Sequence, residues 1–433
     1  MQKINREILA LAIPSIITNI TTPLLALMDV VIVGHMGSPI YIAAIAVGGT
    51  LFNMMYWLFA FLRMGSSGLT AQAHGANDND GSNLVLIRGI LVALCASLII
   101  ISLKSPLCQL ALNFMEVEGE TLNLATQYFS ILVWGAPAVL GTYSLSGWFL
   151  GLRNAKAPMW VSFIVNITNI CVSVILVFGF KFKITGVAFG TLTAQWLGFI
   201  IGLIIAEKKY HPSIPAFRII IDSKELKRFF SVNSDIFLRT LCLIAVTAWF
   251  TRVGSQQGTT ILAVNTLLMQ FFILFSYFMD GFAFAGESLC GNFIGAGQKD
   301  MLHRCIASLF KWGALMALLF SIIYVVGGNF LMGLMTADDV IVENSKEYFY
   351  WVIAIPFAGF ASFTWDGIFI GATQTRAMLV SMATSTMVYF LIYFMLFDQL
   401  GNHGLWVAFI AYLLTRGVIL SLLRKRISIN NYK

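Results

Sequence analysis

Charge is scarce in this chain. Asp, Glu, Lys and Arg together make up 11% of its 433 residues, against about 25% in a soluble globular domain. A chain 58% hydrophobic with so little charge cannot cover a water-facing exterior with polar groups, so lipid must be much of its solvent. Other absences narrow the chemistry. The six cysteines (95, 108, 171, 242, 290 and 305) are scattered and form no CxxC, which leaves no disulfide framework or zinc site. The five histidines are dispersed and form no HExxH, and no Walker motif appears, so neither zinc-peptidase chemistry nor ATP is indicated. No cluster of His, Cys or acids on one membrane face suggests an enzyme. No signal peptide is expected, because the run after Lys3 and Arg6 continues to about Val33, too long for a signal core.

What is present is a succession of apolar runs. Twelve spans are expected at about 8–34, 41–64, 84–104, 122–143, 157–180, 185–206, 231–253, 260–285, 305–327, 347–369, 377–397 and 403–423, each close to the roughly 20 residues a bilayer needs. The fold class is therefore an all-α integral membrane protein of about twelve transmembrane helices. Lys and Arg collect on alternate loops. With the N-terminus inside, the inner segments hold about 18 and the outer loops about 5, the bias that orients membrane proteins. Arg153, Lys156, Lys208, Lys209, Lys224, Lys227, Arg228, Lys299, Arg304, Arg424, Lys425 and Arg426 fall inside. Glu116, Glu118, Glu120, Asp338, Asp339 and Glu343 fall outside. Both termini are then cytoplasmic. The net charge of +7 follows from insertion and gives no reason to expect nucleic acid.

A shift of 220 residues brings the chain into register with itself. Val33-Gly34 meets Val253-Gly254, and Leu69, Gly75, Ala76 and Asp80 meet Leu289, Gly295, Ala296 and Asp300. Tyr128-Phe129 meets Tyr348-Phe349, and Gly147-x-Phe149-x-Gly151 meets Gly367-x-Phe369-x-Gly371. Two six-helix lobes follow, residues 1–206 and 229–433, joined by a cytoplasmic linker, 207–228, that carries His211, Pro212 and Pro215. With an even number of helices each, the lobes share one orientation and are expected to be related by a pseudo-two-fold axis along the membrane normal.

Ionisable groups at membrane depth are costly and mark pathways. Asp29 sits late in span 1, after Pro14 and Pro23, with Thr18 and Thr22 on its face. Either it is a coupling carboxyl or it caps the outer end. Asn166, Asn169 and Ser173 share a face of span 5, and Thr191 and Gln195 a face of span 6. They form either a polar wall opposite Asp29 or ordinary interhelical hydrogen bonds. In the second half, Asp235 and Arg239 stand one turn apart in span 7, which suits a salt bridge. Asp280 and Asp366 remain open as an alternative cation site with Asp235. Glu287 is placed at the inner interface, and Arg63 and Arg416 near the inner headgroups.

The chain resembles the multidrug and toxic compound extrusion (MATE) transporters, and among them the DNA-damage-inducible, DinF-like branch. The resemblance rests on Met28-Asp29 with Ile32-Val33-Gly34-His35, and on Phe61-Leu62-Arg63-Met64 with Gly68-Leu69-Thr70-Ala71-Gln72-Ala73. It extends through Ala263-Val264-Asn265, Asp280-Gly281-Phe282-Ala283, Asp366-Gly367-x-Phe369-Ile370-Gly371-Ala372-Thr373 and Gly401-Asn402-His403. It implies a two-lobed exporter of amphipathic, often cationic organic compounds, working by alternating access. An inward H⁺ gradient, or alternatively a Na⁺ gradient using the C-terminal acids, would drive it, with no other cofactor. It also implies a monomer in a bacterial cytoplasmic membrane. By that likeness Asp29 is the proton or substrate-cation site, with Asn169 and Thr191 in its pocket. Family members often add an Asp one turn after the Asn, where this chain has Ser173. Asp366 resembles an acid linked to Na⁺ coupling. A lipid-linked precursor flippase of similar architecture is a rival, but it needs several cavity arginines.

Overall fold

The computed structural model describes residues 2–36, 38–115, 117–213, 217–220, 222–336 and 338–427. Glu116 and Pro215, named above, lie outside the described residues. Among the described residues, twelve helices are long and apolar enough to cross a membrane. They are Gln2–Gly34, Pro39–Gly75, Asn79–Ser102, Gly119–Gly151, Lys156–Gly179, Lys183–Tyr210, Leu226–Gln256, Thr259–Gly295, Lys299–Met335, Asp339–Gly371, Thr375–Leu400 and Asn402–Arg426. They are spans 1 to 12 below. No strand occurs among the described residues.

Several spans run well beyond the hydrophobic stretches that announce them. Span 2 turns at Leu58–Ala60 and continues as Phe61–Gly75, so Gly-Ser-Ser-Gly-Leu-Thr, which reads as a loop, is helix with Gly65 to Ala73 buried. Span 4 is interrupted by a 3-10 turn at Val133–Gly135 and resumes with Pro137 in its first turn, where a missing N–H costs nothing.

The repeat has a physical basis in how these extended helices cross. A Cβ on Gly147 of span 4 would stand 2.1 Å from the Arg63 carbonyl oxygen of span 2. A Cβ on Gly367 of span 10 would stand 2.1 Å from the Ala283 carbonyl oxygen of span 8. One turn on, Gly151 lies against Thr70 and Ala71, and Gly371 against the Glu287 carbonyl and Gly291. Backbone meets backbone at both crossings, as small residues allow in membrane helices. The helix ends match too. Arg153 and Thr373 both take left-handed φ, 58° and 52°. The next N–H then donates back, Asn154 to Phe149 at 2.9 Å and Gln374 to Phe369 at 3.0 Å, closing orphan carbonyls of the last turn.

Two compact units result, Ile17–Lys227 and Met1–Ile16 with Arg228–Lys433. The division departs from the expected one at both edges. Residues up to Ile16 pack with the C-terminal spans, because Ile4, Ile8, Leu11 and Ala12 are buried and Gly281 of span 8 admits Ile16 and the Ala12 carbonyl. The linker is not a free tether. Buried Arg88 of span 3 donates from Nε to the Ile220 carbonyl at 3.0 Å and from Nη2 to Ile219 at 2.9 Å. Asn83 donates to Ser213, which in turn donates to Asp80.

Aromatic side chains fill the C-terminal unit. Phe271 meets Tyr324 edge-on at 5.1 Å, and Phe250 meets Trp406 at 5.1 Å. Tyr324 also donates to the Phe271 carbonyl at 2.7 Å. All six cysteines are free thiols.

Candidate functional site

The N-terminal unit buries a small group of oxygens around Asp29, which is 4% exposed. Asn169 of span 5 and Thr191 of span 6 lie against its carboxyl. Asn169 Nδ2 donates to Thr191 Oγ1 at 2.7 Å, and Thr191 donates to the Val187 carbonyl at 3.1 Å. Each polar group thus hands its proton along, and acceptors are left over. Asp29 Oδ1 and Asn169 Oδ1 are buried without a hydrogen-bond partner. The Tyr128 ring of span 4 packs on Gly48, and its side chain stands beside Asp29 and Thr191. Sequence reasoning did not place Tyr128 here. The signal available was its match to Tyr348 in the repeat.

The remaining expected residues are turned elsewhere. Ser173 is buried with its Oγ against Gly190, where a Cβ would sit 2.1 Å away. It serves the crossing of spans 5 and 6. Asn166 donates to the Thr21 carbonyl at 2.9 Å, tying span 5 to span 1. Gln195 lies over Gly135, at the break in span 4. Thr22 is exposed and donates to its own helix at Thr18. Of the polar wall, then, Asn169 and Thr191 are brought to Asp29.

In the C-terminal unit the acids are arranged differently from expectation. The Asp235–Arg239 pair does not form. Arg239 of span 7 and Arg416 of span 12 both donate to Oδ2 of Asp366 on span 10. Asp235 instead accepts from Thr375 Oγ1 at 3.1 Å and Arg376 Nη1 at 3.4 Å. Spacing within one helix brings two side chains to one face, but here both face other helices that offer closer partners. Arg416 is 4% exposed, so it does not reach the headgroups. Its guanidinium lies 5.7 Å from the Phe363 ring and 5.9 Å from that of Tyr412. Glu287 is buried, at 1% exposure. Asp280 is half-buried one turn from Tyr277. No cluster of three or more His, Cys, Asp or Glu that could hold a metal ion occurs among the described residues.

Comparison with known proteins agrees with this architecture. The MatE family model matches twice, over residues 14–175 and 235–395, one match in each half of the repeat. DNA damage-inducible protein F of Escherichia coli is 34% identical over 96% of this chain and 91% of its own length. A probable multidrug resistance protein NorM of Bacillus anthracis is 24% identical over 81% of this chain and 79% of its own. A Vibrio cholerae MATE transporter, solved in its bent form, superposes with a TM-score of 0.88 at 16% identity, covering 100% of this chain and 99% of that one. Two matches to one family model, a full-length relative and a shared twelve-span fold place this multi-pass membrane chain in the MATE family of multidrug transporters, in its DinF-like branch.

Proposed function

We propose that this chain exports amphipathic, often cationic organic compounds in exchange for protons, with Asp29 as the coupling carboxyl. The observation that carries the reading is the contrast between two buried acids. Asp366 has two guanidiniums on one oxygen. Asp29 has only neutral polar neighbours and one oxygen with no partner. A carboxyl so placed must carry a proton or hold a cation to stay out of water. Proton and substrate cation then compete for one negative charge. Exchange follows if each favours a different conformation, since only differential affinity shifts an equilibrium.

The rival site in the C-terminal unit is less suited to a coupling ion. Binding Na⁺ at Asp366 would require displacing two arginines from a buried carboxylate. The flippase reading is likewise disfavoured, because Arg88, Arg239 and Arg416 are engaged by protein oxygens. The setting proposed is a bacterial cytoplasmic membrane, with both termini inside and the protein acting as a monomer. Its ligands would be the organic substrate and the coupling ion.

The test is transport of a fluorescent organic cation by purified protein in vesicles, with pH and Na⁺ gradients imposed separately. The pH gradient alone should drive transport, and Asp29→Asn should fold normally yet lose it. Wild-type rates in Asp29→Asn, with an unchanged pH profile, would move coupling to Asp366 and Asp280. Transport driven only by Na⁺ would keep the site and change the ion.

A further inference from the structure

A second cluster of titratable side chains lies in the C-terminal unit, at the start of span 12 and far along that helix from Arg424, Lys425 and Arg426. His403 is its centre. Trp351 Nε1 of span 10, which can only donate, lies 3.3 Å from His403 Nδ1, and the Tyr350 hydroxyl lies 2.9 Å from the same nitrogen. The Trp351 contact is a hydrogen bond when Nδ1 accepts. The ring proton then lies on Nε2, 3.3 Å from Glu347 Oε1. The rings of Tyr348 and Tyr350 stand 4.7 Å and 5.9 Å from the imidazole. Half-buried His403 thus has both nitrogens engaged, beside one carboxylate and two aromatic rings.

We propose that His403 is a second proton-binding site of this transporter, and that Trp351 reports its occupancy. A proton added to Nδ1 removes the lone pair that Trp351 uses. Tyr350 can turn its hydroxyl to accept, but an indole N–H cannot, so the Trp351 contact is lost. In exchange the imidazolium gains the full charge of Glu347 and the electron-rich rings of Tyr348 and Tyr350. Histidine is the side chain that changes charge at about pH 5 to 8. Of the other charged groups at this end, Asp338 accepts from the Val340 and Ile341 N–H groups and Asp339 is exposed. Glu343 pairs with Lys346 on span 10. On spans 11 and 7, Asp398 and Arg252 act on Tyr393, and Arg252 lies over Trp249 at 5.4 Å.

Glu347, Tyr350 and Trp351 share span 10 with Asp366, and His403 shares span 12 with Arg416. The same two helices are therefore fastened twice, by a permanent ion pair and by a contact that a proton exchanges. If the basic end of span 12 faces the cytoplasm, His403 faces the acidic side of an inward proton gradient. That bearing on transport rests on the proton-coupled reading above; proton binding at His403 does not.

The experiment is tryptophan fluorescence of the purified protein from pH 8 to 5, taken as wild type minus Trp351→Phe. A protonated imidazole in contact quenches an indole, so the difference signal should fall with a single midpoint. His403→Gln should abolish the titration. Glu347→Gln keeps the imidazole, so it should keep the amplitude and move the midpoint to lower pH, and it decides the matter should His403→Gln fold poorly. A flat wild-type difference curve, or one unchanged in His403→Gln or unmoved in Glu347→Gln, would overturn the proposal. No gradient is needed, so failure of proton-driven transport and failure of this site are separate results.

Discussion

Arg416 and Arg239 meet on one oxygen of Asp366, joining spans 12, 7 and 10 around a single buried charge. Removing the charge of one partner in such a group leaves the others uncompensated, at about 3–5 kcal/mol. Asp366→Asn should therefore lower membrane yield and thermal stability, measured by melting of the detergent-solubilised protein. Neutralising both arginines as well should recover part of the loss. A stable Asp366→Asn protein that no longer transports would show Asp366 to be a working ion site.

Gly190 is where span 6 comes onto Ser173. An added methyl would meet Ser173 Oγ, and also its backbone N at 2.9 Å, so rotating the serine side chain cannot relieve it. Gly190→Ala should destabilise the protein by about 1–3 kcal/mol. Thr191 is the next residue, so the Asn169–Thr191 bond should be displaced along with the helix. The check is a lower melting temperature together with weaker transport. Ala at Gly179, which has open space around it, is the control.

Arg88 holds the linker by two charge-assisted hydrogen bonds to Ile219 and Ile220. Such bonds contribute on the order of 1.5–3 kcal/mol each. Trypsin should cut the 207–228 segment of Arg88→Ala at least about tenfold faster than wild type, because cleavage follows the population of the opened form. Equal rates would mean that the linker is held by other contacts.

Ser213 lies exposed in the same segment. In a cysteine-free background, Ser213→Cys should resist an impermeant thiol reagent in intact cells and react after permeabilisation. Asp339→Cys, exposed at the start of span 10, should react in intact cells. The reverse pattern would invert the orientation inferred from Lys and Arg.

Much of this arrangement is legible in the chain. Hydropathy locates twelve spans, and the 220-residue register finds the glycines on which spans 4 and 10 cross their partners. Helical periodicity puts Asn169 and Thr191 within reach of Asp29. It fails for Asn166 and Gln195, because spacing identifies a face of a helix and not what that face meets. The partners of Asp366 lie 127 and 50 residues away in sequence, beyond any local pattern. The inner part of span 2 is hidden for another reason. Gly65 to Ala73 has the composition of a loop, and only close helix contact gives those small residues a place inside the protein.

The boundary at Ile16 carries a consequence for the order of events during synthesis. Ala12 and Ile16 are translated before Ile17–Lys227, yet the surface that receives them, at Gly281, is made only after that whole segment. Domains usually mature in the order they are translated. Here the N-terminal unit can consolidate first, while the beginning of the chain waits for its partners. The C-terminal unit, though made after the other, borrows a piece from residues that precede Ile17, so a fragment starting at Arg228 would be translated in full and still be incomplete.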